Sequence, residues 1–169
     1  GEERHGMFRA INDLPAHVLF VHLPVVAIPV MSLLAVLMGI IKRPPVWLQR
    51  IVVGGTALTV AATWFAVRSG REFDKIIGDR VNTDRHEALA NRTMLLVTAL
   101  AISVGGLGYV ISRLGNDQTP RPAGLIRARF VLSLATIALA TLSTIWIVRT
   151  GEEGARITWR GVVPVEADG

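Results

Sequence analysis

The chain has 169 residues, 51% of them apolar, with a mean hydropathy of +0.47, a net charge of +5 and no cysteine. That length suits one domain. The missing cysteine excludes disulfide scaffolds, thiolate zinc sites, cysteine-ligated iron–sulfur clusters and c-type haem attachment, and leaves His as the first donor for any metal or cofactor. Lys and Arg flank apolar runs instead of forming a stripe, which fits anchoring to lipid headgroups and not nucleic-acid binding.

Residues 1–16 mix both charges and form a polar or interfacial lead-in. From Val18 to Ile41 no formally charged residue occurs. A helix of that length, at ~1.5 Å per residue, spans a bilayer core of ~30 Å. The run is too long for a signal h-region and lacks a small-residue cleavage site after it, so it is expected to stay as the first membrane helix, about 17–41. Pro24 and Pro29 should bend it. His22 is its one ionisable group within the apolar part, and an ionisable residue at that depth is a functional-site hypothesis by default.

After Lys42, Arg43, Pro44 and Pro45, a second helix is predicted at about 46–67, with Trp47 and Trp64 at its two interfaces. Gly55, Ala57, Thr59, Ala61 and Thr63 are read as its close-packing face. The long polar connection that follows holds Arg68, Arg71 and Asp74. Asp84 with Glu87 resembles a capping box opening a third helix, about 84–113, with His86 in its first turn and Ala101 and Gly105 as a small-residue pair. A turn-rich, Arg-rich link leads to a fourth helix at about 127–149, packed through Thr136, Ala140 and Thr144. The polar tail, 150–169, contains Glu152 and Glu153, read as solvated, and Trp159 as an anchor.

The expected fold is therefore all-α: an integral membrane bundle of four transmembrane helices with both termini on one side. A soluble bundle would carry a charged outer stripe on every turn, and these segments carry none. Lys42, Arg43, Arg50, Arg113, Arg121, Arg127 and Arg129 crowd the two short links, with Asp117 their one acid. By the positive-inside rule those links are cytoplasmic and both termini extracytoplasmic.

At His17–Val18–Leu19–Phe20–Val21–His22–Leu23–Pro24 the chain resembles the opening of a bacterial four-helix membrane family catalogued as domain of unknown function 2231. Gly70 and Asp74 after the second helix, His86 opening the third, and the tail GEEGARITW extend the resemblance over nearly the whole chain. Val18 stands where that family usually has Pro, and Glu152 where many members have His, so a site needing that last His is in doubt. The family implies the bundle and a bacterial inner membrane; it implies no activity.

His22 and His86 enter the membrane from the same face and could ligate a b-type haem, with Ala90 leaving room and Arg85 and Arg92 for the propionates, Arg68 and Arg71 being on the same side. A lone His-held metal at the same pair is the related reading. His17 and Asp74 are candidate partners behind them. The competing reading has His22 hydrogen-bonding across helices and His86 sitting among headgroups. No nucleophile–base pair, phosphate loop or metalloprotease helix occurs, so no enzymatic activity is expected. The sequence is read as a small accessory subunit of a larger membrane assembly, respiratory or electron-transfer in type, with lipid and other membrane subunits as partners. The haem b electron carrier is the alternative, and a small transporter or channel component the third reading.

Overall fold

A computed structural model describes residues 16–77, 84–115 and 122–159, with side chains over 22–71, 85–115 and 122–156. The chain forms α1 (Ala16–Ile40), α2 (Val46–Ile77), α3 (Asp84–Gly115) and α4 (Ala123–Trp159). Consecutive helices pack side by side and α4 closes back onto α1, leaving α1 and α3 on the diagonal. The start of α1 and the end of α4 share one end of the bundle, the terminal end, and the end of α1, the start of α2, the end of α3 and the start of α4 share the other, the link end. All four helices are long and apolar enough to cross a membrane.

Core and surface invert the pattern of a water-soluble bundle. Leu58 on α2 is 73% exposed and Ile102 on α3 is 72% exposed, while Thr56, Thr59, Thr63, Ser103, Thr136 and Ser143 are buried. Putting large aliphatics outside and hydroxyls inside is untenable in water, where apolar area costs about 25 cal/mol per Å². In lipid the outward face costs nothing, and helices instead associate by close packing and hydroxyl bonds. The chain is a multi-pass bundle of transmembrane helices.

Most of the buried hydroxyls are bonded, whereas Ser32 Oγ and Ser143 Oγ are buried with no hydrogen-bond partner. Thr56 donates to Val52 O, Thr59 to Gly55 O and Thr63 to Thr59 O, each at 2.7 Å. This return bond to the preceding turn lets a hydroxyl sit inside hydrocarbon without an orphan donor. Between helices, Ser103 meets Thr136 at 2.9 Å and Thr93 meets Thr150 at 3.0 Å, both across the α3–α4 seam. Around them Ala35, Met38, Val52, Leu100, Val104, Leu107 and Ala140 form the main apolar cluster. A smaller one, Ile28, Val97 and Ile147, lies nearer the terminal end.

Three expectations change. The close-packing face of α2 runs through Val52, Gly55, Thr56, Thr59, Thr63 and Ala66, with Ala57 and Ala61 on the exposed side. On α3, Gly106 and Gly108 meet neighbours, Leu132 and Val53, whereas Gly105 faces open space. Finally, α2 and α4 each continue about ten residues past the predicted ends at 67 and 149, so residues 150–159 are helix and not a polar tail. At ~1.5 Å per residue, the 37 residues of α4 reach about 55 Å, well beyond a ~30 Å hydrocarbon core. Both Pro24 and Pro29 fall inside an uninterrupted α1. The lead-in before Ala16, the Asp84 side chain and Trp159 as an anchor lie outside the described side chains.

Candidate functional site

Aromatic–cation pairs mark where the bundle leaves hydrocarbon. Arg68 stacks over Trp64 at 5.7 Å and Arg149 over Trp146 at 5.3 Å, both toward the terminal end, and Arg113 over Tyr109 at 5.9 Å toward the links. Trp and Tyr favour the headgroup boundary, and a guanidinium one turn farther out adds cation–π attraction. On α2, Trp47 and Trp64 are seventeen positions apart (64 minus 47), about 26 Å along a helix. That separation matches one bilayer core.

Beyond the Trp64–Trp146 level, α2, α3 and α4 continue and carry the charged side chains Arg68, Arg71, Arg85, Glu87, Arg92, Arg149, Glu152, Glu153 and Arg156. Arg71 of α2 donates from Nε to Glu87 Oε1 at 3.0 Å and from Nη2 to Asn91 Oδ1 at 3.1 Å, tying α2 to α3. This bond gives Glu87 a partner in α2. Between α3 and α4 a cavity of about 600 Å³ opens, with Arg85 and Arg92 on one wall and Arg149, Glu152, Glu153 and Arg156 on the other. Ala88, Leu89 and Trp146 complete its lining. Glu153 is 8% exposed, with Arg85 Nε 3.8 Å from its Oε2. The expectation of a solvated GEEGAR cluster is thus corrected: Glu153 faces α3.

The predicted residues divide. Arg85 and Arg92 stand together in the cavity wall. His86 packs against α4, where a Cβ added at Gly154 would lie 3.2 Å from its Cε1, so the missing side chain is what admits the ring. Its Nδ1 is buried with no hydrogen-bond partner, as is the Nε1 of Trp146. His22 lies on α1, diagonal to α3, with an exposed side chain. Both histidines belong to the terminal-end halves of their helices, yet neither lines the cavity. The side chains of His17 and Asp74 are outside the described residues. Among the described residues no group of three or more His, Asp or Glu converges as a metal site.

Sequence reasoning missed Trp146, Arg149, Glu153 and Arg156 as a group. Their spacing of three, four and three places them on one helical face. The signal was there, but only for a fourth helix continued past 149.

No family model, curated protein or solved structure matches the chain.

Proposed function

We propose that this chain is a small accessory subunit of a larger bacterial inner-membrane assembly, with respiratory and electron-transfer complexes the first to examine, and that it is akin to the uncharacterised four-helix family it resembles. The observation that carries the reading is a second small-residue face on α2. Gly54, Ala57 and Ala61 are exposed at spacings of three and four, and a Cβ at Gly54 would meet nothing within 4 Å. The bundle's own contacts use the opposite face. A small-residue stripe turned to lipid supports close approach by a helix of another subunit. The described extramembrane parts are only helix ends, which supports a role through the helices.

The experiment is copurification from native membranes. Wild-type protein is expected to carry co-migrating membrane subunits, and Gly54→Leu/Ala61→Leu to lose them while remaining folded. Migration of the wild type alone would contradict the reading.

A second proposal, the b-type haem carrier, is supported by the placement of His22 and His86 toward one end and by the unpartnered buried Nδ1 of His86. The diagonal position of α1 and the packing of His86 toward α4 count against a ready cradle between the two rings. Haem, if bound, would be held by the imidazoles of His22 and His86 and would supply one-electron transfer. An absorption spectrum with a Soret band that shifts on reduction, lost in both His22→Ala and His86→Ala, is the outcome it requires. Purified protein without a chromophore would discard it.

A further inference from the structure

We infer that the α3–α4 cavity binds the phosphate-bearing headgroup of an anionic amphiphile at the membrane surface. The inference needs only the transmembrane placement of the bundle, and it stands or falls apart from the subunit reading.

Charge comes first. Four guanidiniums, Arg85, Arg92, Arg149 and Arg156, face two carboxylates, Glu152 and Glu153, leaving a surplus of two positive charges around one opening. Arg85 is held by Glu153, and Glu152 lies within one turn of both Arg149 and Arg156 on α4. Arg92 is in neither of the ion pairs found among the described residues of this end. The first turns of α3 supply the same wall, where the helix dipole adds further positive potential.

Depth decides between a free anion and an amphiphile. Along α4 the cavity runs from Arg156 in to Trp146, where the apolar run ends, so an amphiphile bound there can keep its headgroup toward water and its chains toward hydrocarbon. Ala88, Leu89 and the Trp146 ring add apolar lining among the arginines, and Trp146 is the lining residue of α4 farthest from the terminal end. Trp146 lines the cavity, its Nε1 donor is buried with no hydrogen-bond partner, and indole N–H can only donate. A phosphate or glyceryl oxygen is the acceptor this arrangement lacks. About 600 Å³ lies within the ~300–1,000 Å³ of small-molecule sites and is far more than a bare phosphate fills. Basic pockets between transmembrane helices recognise anionic headgroups by this combination.

The test is native mass spectrometry of the full chain released from phosphatidylcholine bilayers containing graded phosphatidylglycerol. Wild-type protein is expected to retain phosphatidylglycerol in preference to phosphatidylcholine. Arg92→Gln/Arg149→Gln should weaken that retention about tenfold or more, the scale of lost charge-assisted bonds. Trp146→Phe, which keeps the ring and removes the N–H, should weaken it by a smaller factor. Arg43→Gln/Arg113→Gln, at the opposite end, should leave it unchanged. Added inorganic phosphate separates the sources: failure to displace the lipid assigns the cavity to a headgroup with its chains, as the depth argument requires, and ready displacement overturns that assignment in favour of a free anion. Equal retention of the two lipids by the wild type would overturn the inference. So would unchanged retention in Trp146→Phe, the deciding variant if the double arginine variant does not fold.

Discussion

Thr93 and Thr150 face each other at 3.0 Å across the α3–α4 seam, and each also reaches the preceding turn of its own helix. Thr93 Oγ1 lies 3.0 Å from Leu89 O and Thr150 Oγ1 lies 2.8 Å from Trp146 O. Two hydroxyl protons serve three acceptors, so one hydroxyl bonds across the seam while the other bonds back to its helix. Neither is orphaned in either arrangement. Thr93→Val and Thr150→Val should each destabilise the bundle by about 0.6 kcal/mol, with ~1.7 kcal/mol the upper end for such bonds. A double-mutant cycle, followed by unfolding in mixed detergent, should return a coupling of similar size. Strict additivity would show that the two hydroxyls do not share a bond.

Gly54 and Gly55 are neighbours with opposite surroundings. A Cβ at Gly55 would run into Met31 of α1, whereas one at Gly54 meets nothing within 4 Å. Gly55→Leu should cost about 1–3 kcal/mol by overpacking the α1–α2 seam. Met31→Ala should recover part of that, because the obstacle is one flexible side chain. Gly54→Leu should leave the isolated bundle within about 0.5 kcal/mol of wild type. Thermal unfolding of the purified variants checks all three, and equal losses at 54 and 55 would contradict the assigned faces.

Arg85 and Glu153 form an uneven pair: the carboxylate is buried and the Arg85 side chain is 76% exposed. Solvent screening on the arginine side keeps the pair weak, so Arg85→Ala should cost less than about 1 kcal/mol. Arg85→Glu sets two carboxylates together and should cost more. The charge-swapped Arg85→Glu/Glu153→Arg should regain stability over Arg85→Glu alone. A swap that is no better than the single variant would remove the pair from the account.

Orientation follows from where the arginines stand. Arg129 Nη2 donates to Ile41 O at 2.8 Å, closing the end of α1 with a cation at the links. With Lys42, Arg43 and Arg113 nearby, this end is expected in the cytoplasm. The chain has no cysteine, so single cysteines report without background. An impermeant thiol reagent should label Lys42→Cys only after the cells are opened, and Glu152→Cys in intact spheroplasts. The reverse pattern would invert the topology.

What could be read from residues alone followed physical lines. Crossings were legible because an uncharged run long enough for a bilayer has few other uses. Which side of a helix faces the bundle was not, since lipid tails are as apolar as Leu and hydrophobicity stops distinguishing inside from outside. Ala57 and Ala61 were therefore assigned to the bundle although they are exposed, while Thr56, one position away, is buried. Hydropathy also measures depth in the membrane and not helicity, so Arg149 looked like the end of a helix that continues to Trp159. Arg85 and Arg92 were picked out as propionate partners on the same side as His22 and His86, and both line the cavity. Their opposite wall escaped notice for the reason just given.

The central claim is that the large aliphatic side chains on the outside of this bundle touch lipid. Spin labels at Leu58→Cys, Leu95→Cys and Ile102→Cys in reconstituted bilayers test it most directly, through collision with oxygen, which concentrates in hydrocarbon, and with a water-soluble nickel complex. All three should be accessible to oxygen and shielded from nickel, whereas a label at Glu152→Cys should show the opposite. Nickel access at 58, 95 and 102 equal to that at 152 would contradict the account.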